Sequence, residues 1–220
     1  MEGGPASPGF AHLCGLRDPV MSRLVRAIGP LGEEARRRGR PEDAFGSLLR
    51  SIIGQQLSTR AAKSIYVRVT ALFGGRVPTP GEVLERSAEE LAACGISGRK
   101  IVYLKDLARR VIDGRLDFVE LERVPDEEVR ARITEVKGLG RWSADMFLIF
   151  HLHRPDVLPV GDLGIRRAVM RAYGLTGLPD LTQLEKIAHP WRPYRTLASL
   201  YLWESLEMEV LPPSCEEMMR

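Results

Sequence analysis

The chain has 220 residues, 44% of them hydrophobic and 28% charged, which is enough apolar material for a sizeable core in one domain or in two small lobes sharing a cleft. A formal charge of +3 with both signs interspersed does not oppose a polyanionic partner, but most of these charges read as solvated faces. Three cysteines, Cys14, Cys94 and Cys215, are far apart and odd in number. They exclude a disulfide framework and a metal-ligand spacing, and predict a reducing compartment. No apolar run reaches the length of a membrane span, and the start MEGGPASPGF has no signal pattern, so an intracellular protein with no membrane partner is expected.

Residues 1–15, rich in Gly, Pro and Ser, read as a loose leader. Asp18-Pro19 opens a helix with Val20, Leu24 and Ile28 on one face and Gly29-Pro30 at its end. The arginine-rich stretch from Glu33 to Arg40 reads as a solvated or phosphate-contacting loop. Beyond Pro41, Phe45, Leu48, Leu49, Ile52 and Ile53 fall on one helical stripe. Gly54-Gln55-Gln56-Leu57-Ser58-Thr59 breaks it, and a second helix runs from Ala61 to Phe73 with Ile65, Val69 and Leu72 inward. Neither helix needs two amides and a leucine in that break, and a loop on a rigid scaffold is where partner contacts sit. The alternative is a capped break, with Ser58 as N-cap and Leu57 packed inward.

Short helices follow from Pro78 through Cys94, and Ser97 to Lys100 caps a long amphipathic helix with Ile101, Leu104, Leu107, Ala108 and Val111 inward. Its first-turn N–H groups, beside Arg99 and Lys100, suit a phosphate or simple exposure. Pro125 to Glu135 predicts a helix with Val129 and Ile133 inward, and Arg141 to His153 a second, apolar nearly all round and so central. Between them lies Val136-Lys137-Gly138-Leu139-Gly140. Glycines without a Cβ let backbone N–H groups approach an oxyanion, and the start of the next helix adds its own amides and dipole. Lys137, Gly138, Leu139, Gly140 and Arg141 are therefore candidate phosphate contacts of a helix-hairpin-helix, although a Gly-x-Gly turn also merely joins packed helices.

Asp162 stands 22 residues after Gly140, in Pro159-Val160-Gly161-Asp162-Leu163-Gly164. It reads as the N-cap of a helix in which Ile165, Val169 and Ala172 pack while Arg166, Arg167 and Arg171 face out, or as a functional carboxylate at that helix's positive end. Leu181 to Ala188 and Tyr194 to Glu207 complete an all-α chain with no internal repeat and no segment that demands a strand.

Four stretches carry a resemblance: GQQLSTRAA (Gly54 to Ala62), GLGRWSAD (Gly138 to Asp145), DVLPVGDLGIRR (Asp156 to Arg167) and WRPYRTLASLYLW (Trp191 to Trp203). From Asp43 to about Glu207 the chain resembles the helix-hairpin-helix DNA glycosylases with a Gly/Pro-rich loop and a catalytic aspartate, the HhH-GPD superfamily, and within it the 3-methyladenine DNA glycosylase II branch. The resemblance implies a two-lobed all-helical fold with the active-site cleft between the lobes, spanning 16–220, with the helix-hairpin-helix at about 126–153. The N-terminal β domain of larger bacterial members is not expected.

It also implies an activity. Such an enzyme extrudes an alkylated purine from duplex DNA and cuts its N-glycosidic bond, which requires a residue to fill the vacated stack. Leu57 or Gln56 would be that wedge, with Gln55 and Ser58 beside it in the minor groove. Trp142, Met146, Tyr201 and Trp203 would line the base pocket, where an aromatic face attracts a cationic methylpurine by about 1 to 2 kcal/mol when desolvated. The other reading of Trp142, Tyr194 and Trp203 is as core aromatics. Asp162 would stabilise the oxocarbenium-like sugar and align or deprotonate the attacking water.

Trp142 occupies the position where bifunctional relatives carry a Schiff-base lysine, so a monofunctional enzyme that leaves an abasic site is implied. Met146 stands where larger members have an aromatic pocket residue, and Gly161 precedes Asp162 where some relatives have a second aspartate. No cofactor is expected to be required, and three cysteines are too few for the iron–sulfur loop of some relatives. As in some relatives, Na+ or K+ would bind the main-chain carbonyls of Thr134, Val136 and Leu139. Double-stranded DNA with alkylated bases is the implied partner, of a monomer in the cytoplasm or nucleoid. The alternatives are a non-enzymatic helix-hairpin-helix DNA-binding module that recruits repair factors, and a glycosylase for another lesion such as uracil or a mispaired base.

Overall fold

A computed structural model describes residues 7–31 and 43–208. Among these residues the chain is all-helical, with no strand. In chain order the helices are α1 (Pro8–Cys14), α2 (Pro19–Ile28), α3 (Ala44–Gly54), α4 (Thr59–Leu72), α5 (Pro80–Glu85), α6 (Ala88–Ala93) and α7 (Gly98–Ile112). They continue as α8 (Phe118–Leu121), α9 (Asp126–Thr134), α10 (Arg141–Phe150), α11 (Leu163–Ala172), α12 (Leu181–Ala188), a 3-10 turn (His189–Trp191) and α13 (Arg195–Glu207). Among the described residues no helix is long and apolar enough to cross a membrane. Two compact units result: one takes both ends of the chain, the other its contiguous middle, divided near residues 38 and 152.

The first unit packs α1, α2, α11, α12 and α13 around Leu13, Met21, Leu24, Ile165, Val169, Leu184, Trp191, Tyr201 and Leu202. Each large apolar side chain fully buried there contributes about 1.5 to 3 kcal/mol. Asp18 ties the unit together with both carboxylate oxygens. Its Oδ1 accepts the N–H groups of Val20 and Met21, each at 3.1 Å, and so caps α2. Its Oδ2 accepts the Tyr173 hydroxyl and the Trp191 indole N–H. Burial, then the neighbouring Asp18 charge, pushes the Tyr173 phenol well above its ordinary range.

Helix α1 is a departure from the sequence-based expectation of a loose leader over residues 1–15. Ser7 Oγ accepts the Phe10 N–H at 3.3 Å, Pro8 fills the first turn where no amide donor is needed, and Leu13 is buried in the core. Residues 1–6 of that stretch, and the arginine-rich 33–40 segment, lie outside the described residues.

In the second unit, α3 buries Phe45, Leu48, Leu49, Ile52 and Ile53, the stripe expected of it. Ile101, Leu104, Leu107 and Ala108 do the same for α7. Helix α4 is shallower: Val69 is its buried residue, with Ile65 and Leu72 half-buried. Helices α5 and α6 are fixed by capping boxes, Thr79 with Glu82 and Ser87 with Glu90, each pairing a hydroxyl and a carboxylate with the other's backbone N–H. Ser97 makes no side-chain cap bond at α7. Helices α9 and α10 form the expected hairpin pair; α10 is buried from Ser143 to Phe150 and ends there, short of His153.

Candidate active site

Asp162 is the N-cap of α11, as its position before an apolar run predicts. Its Oδ1 accepts the Ile165 N–H at 2.8 Å and the Trp203 indole N–H at 3.1 Å. The carboxylate is thereby fixed by its own helix and by α13, and is only 9% exposed. Gly164 makes this packing feasible. A Cβ there would fall 2.9 Å from Asp162 Oδ1 and 3.3 Å from the Trp203 ring, so the indole reaches the carboxylate past a position where a side chain would push one or both of them aside. Trp203 is half-buried, with its N–H committed to Asp162.

Two pocket expectations need correction. Tyr201 has no exposed surface; its ring is part of the apolar core, and its hydroxyl donates to the Gly29 carbonyl at 2.9 Å. A phenol needs such a partner when buried, so Tyr201 is a core residue with no face open to a base. Met146 lies within the buried run of α10 and is likewise inside the protein. Trp142, one turn earlier, differs sharply: its side chain is 41% exposed.

The hairpin apex has the features an anion needs. Gly138 has φ of +80°, the left-handed region glycine adopts without penalty, and the Tyr103 ring covers the spot where a Cβ would project. Gly140 precedes α10 and has no side chain to cap it, so the first-turn amides are not closed by a capping group. Lys137, Gly138, Gly140 and Arg141 are exposed, whereas Leu139 is buried and anchors the turn. The two helices are locked together by a buried ion pair, Arg130 Nε to Asp145 Oδ1 at 2.7 Å. Desolvation of Asp145 pushes its carboxyl above the ordinary range, with Arg130 pulling the other way.

The loop between α3 and α4 is held by the same unit. Gln55 Nε2 donates to the Gly138 carbonyl at 2.6 Å, so this amide is a strut to the hairpin. Gln56 has φ of +57°, an uncommon region for a side-chain-bearing residue, and it is exposed. Leu57 is 39% exposed rather than packed inward, and Ser58 caps α4 through the Ala61 N–H at 3.3 Å. The sequence leaves the first turn of α7, beside Arg99 and Lys100, between a phosphate contact and simple exposure, and Lys100 does neither. It instead turns inward, donating to the carbonyls of Ile53 and Gln55, each at 2.7 Å; Arg99 stays exposed.

The motifs give no sign of the contacts that Gly164, Lys100 and Asp106 make, nor of the Arg130–Asp145 pair. One signal was available: a glycine in the first turn of a helix costs about 1 kcal/mol relative to alanine unless something requires it.

Residues 49–193 match the family model described as HhH-GPD superfamily base excision DNA repair protein. The chain is 36% identical over 199 residues to DNA-3-methyladenine glycosylase 1 of Schizosaccharomyces pombe, covering 90% of this chain and 86% of that protein. Its structure is similar to that of the S. pombe 3-methyladenine DNA glycosylase in complex with abasic DNA, with a TM-score of 0.82, 35% identity, and coverage of 90% of this chain and 96% of that one. A DNA-3-methyladenine glycosidase from Bacillus halodurans is similar over the whole of both chains, with a TM-score of 0.82 and 34% identity.

Proposed function

Because the chain belongs to the HhH-GPD superfamily of base excision DNA repair proteins, we propose that it is a monofunctional DNA glycosylase that extrudes alkylated purines of the 3-methyladenine and 7-methylguanine type. It hydrolyses the N-glycosidic bond and leaves an abasic site. The observation that carries this reading is Asp162, fixed by the start of α11 and by the Trp203 indole.

The chemistry follows from the residues. Cleavage develops positive charge on the sugar, and a preorganised carboxylate stabilises that charge without reorganising. Asp162 needs no motion to do so, because both contacts on Oδ1 fix its direction. It also aligns or deprotonates the attacking water. A purine alkylated on the ring already carries positive charge and leaves readily, so one carboxylate suffices. Trp142 offers the base an exposed aromatic face, attractive to a cationic ring by about 2 kcal/mol when desolvated. An indole cannot form a Schiff base, so the chemistry stops at hydrolysis. Trp203 acts on Asp162 through its N–H as well as offering part of its face.

The DNA is held by Lys137, Arg141 and the hairpin amides on a phosphate, while Leu57, exposed beside Gln56, enters the stack from the minor groove. A monovalent cation would be held by the main-chain oxygens of Thr134, Val136 and Leu139. The Val136 oxygen accepts the Leu139 N–H at 3.0 Å and keeps a second lone pair. Such an ion would add positive charge beside the phosphate. The protein works as a monomer on genomic DNA.

The test is release of methylated purines from alkylated duplex DNA, followed by alkali to reveal abasic sites, beside Asp162→Asn. Asparagine still caps the helix, so the fold and DNA affinity should survive while release falls about a hundredfold or more. Strand breaks should appear only after alkali. Binding without release from either protein would instead identify a recruiting module.

A further inference from the structure

The face of α7 that carries Lys100, Tyr103, Asp106 and Arg110 touches both loops assigned to DNA. These residues recur at helical spacing and so share one side. Lys100 lies in the first turn of α7, where the helix dipole disfavours a cation. It crosses instead to the C-terminal carbonyls of α3, Ile53 and Gln55, where a cation is favoured. One turn on, the Tyr103 ring packs on Gly138 so closely that a Cβ there would lie 2.1 Å from it. One turn further, Asp106 Oδ2 accepts the Lys137 main-chain N–H at 2.9 Å. Arg110 braces that carboxylate at 3.2 Å and reaches Glu135 at 3.0 Å. The bond from Gln55 Nε2 to the Gly138 carbonyl then joins the two loops directly.

We propose that Lys100, Tyr103 and Asp106 are positioning residues that set the spacing between the Gln55–Ser58 loop and the hairpin, so that wedge and phosphate clamp engage one duplex together. This rests on the proposed glycosylase reading. The argument is geometric: two contacts on one rigid ligand add only when their separation matches it. A polar chain across α3, α7 and the hairpin, with each donor and acceptor named above satisfied, fixes that separation. None of the three residues touches the reacting atoms; each acts through a loop.

The experiment uses two variants on opposite ends of the device, Lys100→Met and Asp106→Ala, and two substrates. One is a fully paired duplex with a 7-methylguanine; the other carries the same lesion in a single-nucleotide bulge, where little work is needed to extrude it. A duplex with a tetrahydrofuran abasic analogue beside 2-aminopurine reports stack opening without catalysis. Each variant should release base from the paired duplex about tenfold more slowly or worse, but lose less than about threefold on the bulge. The 2-aminopurine signal should fall while the salt slope of binding persists. The double variant should lose little beyond the worse single one, because both disable the same alignment.

Equal losses on both substrates, wild-type behaviour on the paired duplex, or multiplied losses in the double variant would each overturn the proposal. If Lys100→Met does not fold, Asp106→Ala alone decides. A wild-type protein that neither opens the 2-aminopurine duplex nor releases base from the bulge would remove the glycosylase reading, and this inference with it.

Discussion

At the scale of single residues, the site depends on one bare position. Gly164 lies against both Asp162 and Trp203, and alanine there gains about 1 kcal/mol of helix propensity. Gly164→Ala should therefore change the melting temperature little, since propensity offsets crowding, while base release slows by about tenfold or more through a displaced carboxylate. Single-turnover kinetics beside a thermal melt measures both, and an unchanged rate would show that the contact is slack. The cap at Asp162 was legible because a carboxylate just before an apolar helical run is a sequence pattern. The place of Tyr201 was not, since an aromatic in an apolar helical stretch reads the same whether its ring faces a ligand or, as here, the core with its hydroxyl on Gly29. The inward turn of Lys100 was hidden for a related reason. A basic first turn says nothing about which way a four-carbon stem bends, and here it bends to α3.

Among the elements, the two hairpin helices are joined by one largely buried ion pair. Arg130 and Asp145 are 11% and 1% exposed at the side chain, and removing one partner of such a pair costs about 3 to 5 kcal/mol because the other is left charged and buried. The Asp145 carboxyl is raised above its ordinary value by burial. The native protein thus keeps that proton to higher pH than the unfolded chain, and stability falls as pH rises from the ordinary carboxylate range through the raised value. Loss of Arg130 removes the group that pulls the carboxyl down, so the window widens upward. Arg130→Met should lose more stability at about pH 7.5 than at about pH 5, and Asp145→Asn in that background should flatten the difference. Urea unfolding at the two pH values is the check; an identical loss at both would place the cost elsewhere.

Most helices were readable from apolar spacing, and α3, α7 and α12 fall where the pattern puts them. Helix α1 was not, because its signals double as loop signals. Ser7 and Pro8 are its cap and first turn, and Gly9 is bare because α13 comes close: a Cβ there would meet Leu197 at 2.8 Å and Tyr194 at 3.0 Å.

For the molecule as a whole, a net charge of +3 is modest, so DNA affinity must come from local contacts rather than a general field. Binding to undamaged duplex should weaken steeply with salt, and Lys137→Ala should lower the slope of log affinity against log salt by about 1 without changing lesion preference. Titrations at several salt concentrations measure this; an unaltered slope would remove Lys137 from the phosphate contacts. The division of the chain has another consequence, in time rather than in space. The middle unit is complete in sequence once residue 152 has been synthesised, but α1 and α2 belong with α11 to α13. At roughly 5 to 20 residues per second, the apolar faces of Leu13, Met21, Leu24 and Val25 wait at the ribosome for about 10 to 40 seconds before α13 exists to cover them. In that interval the apolar faces of α1 and α2 are the surface that a chaperone would have to cover and the place where aggregation during translation would begin.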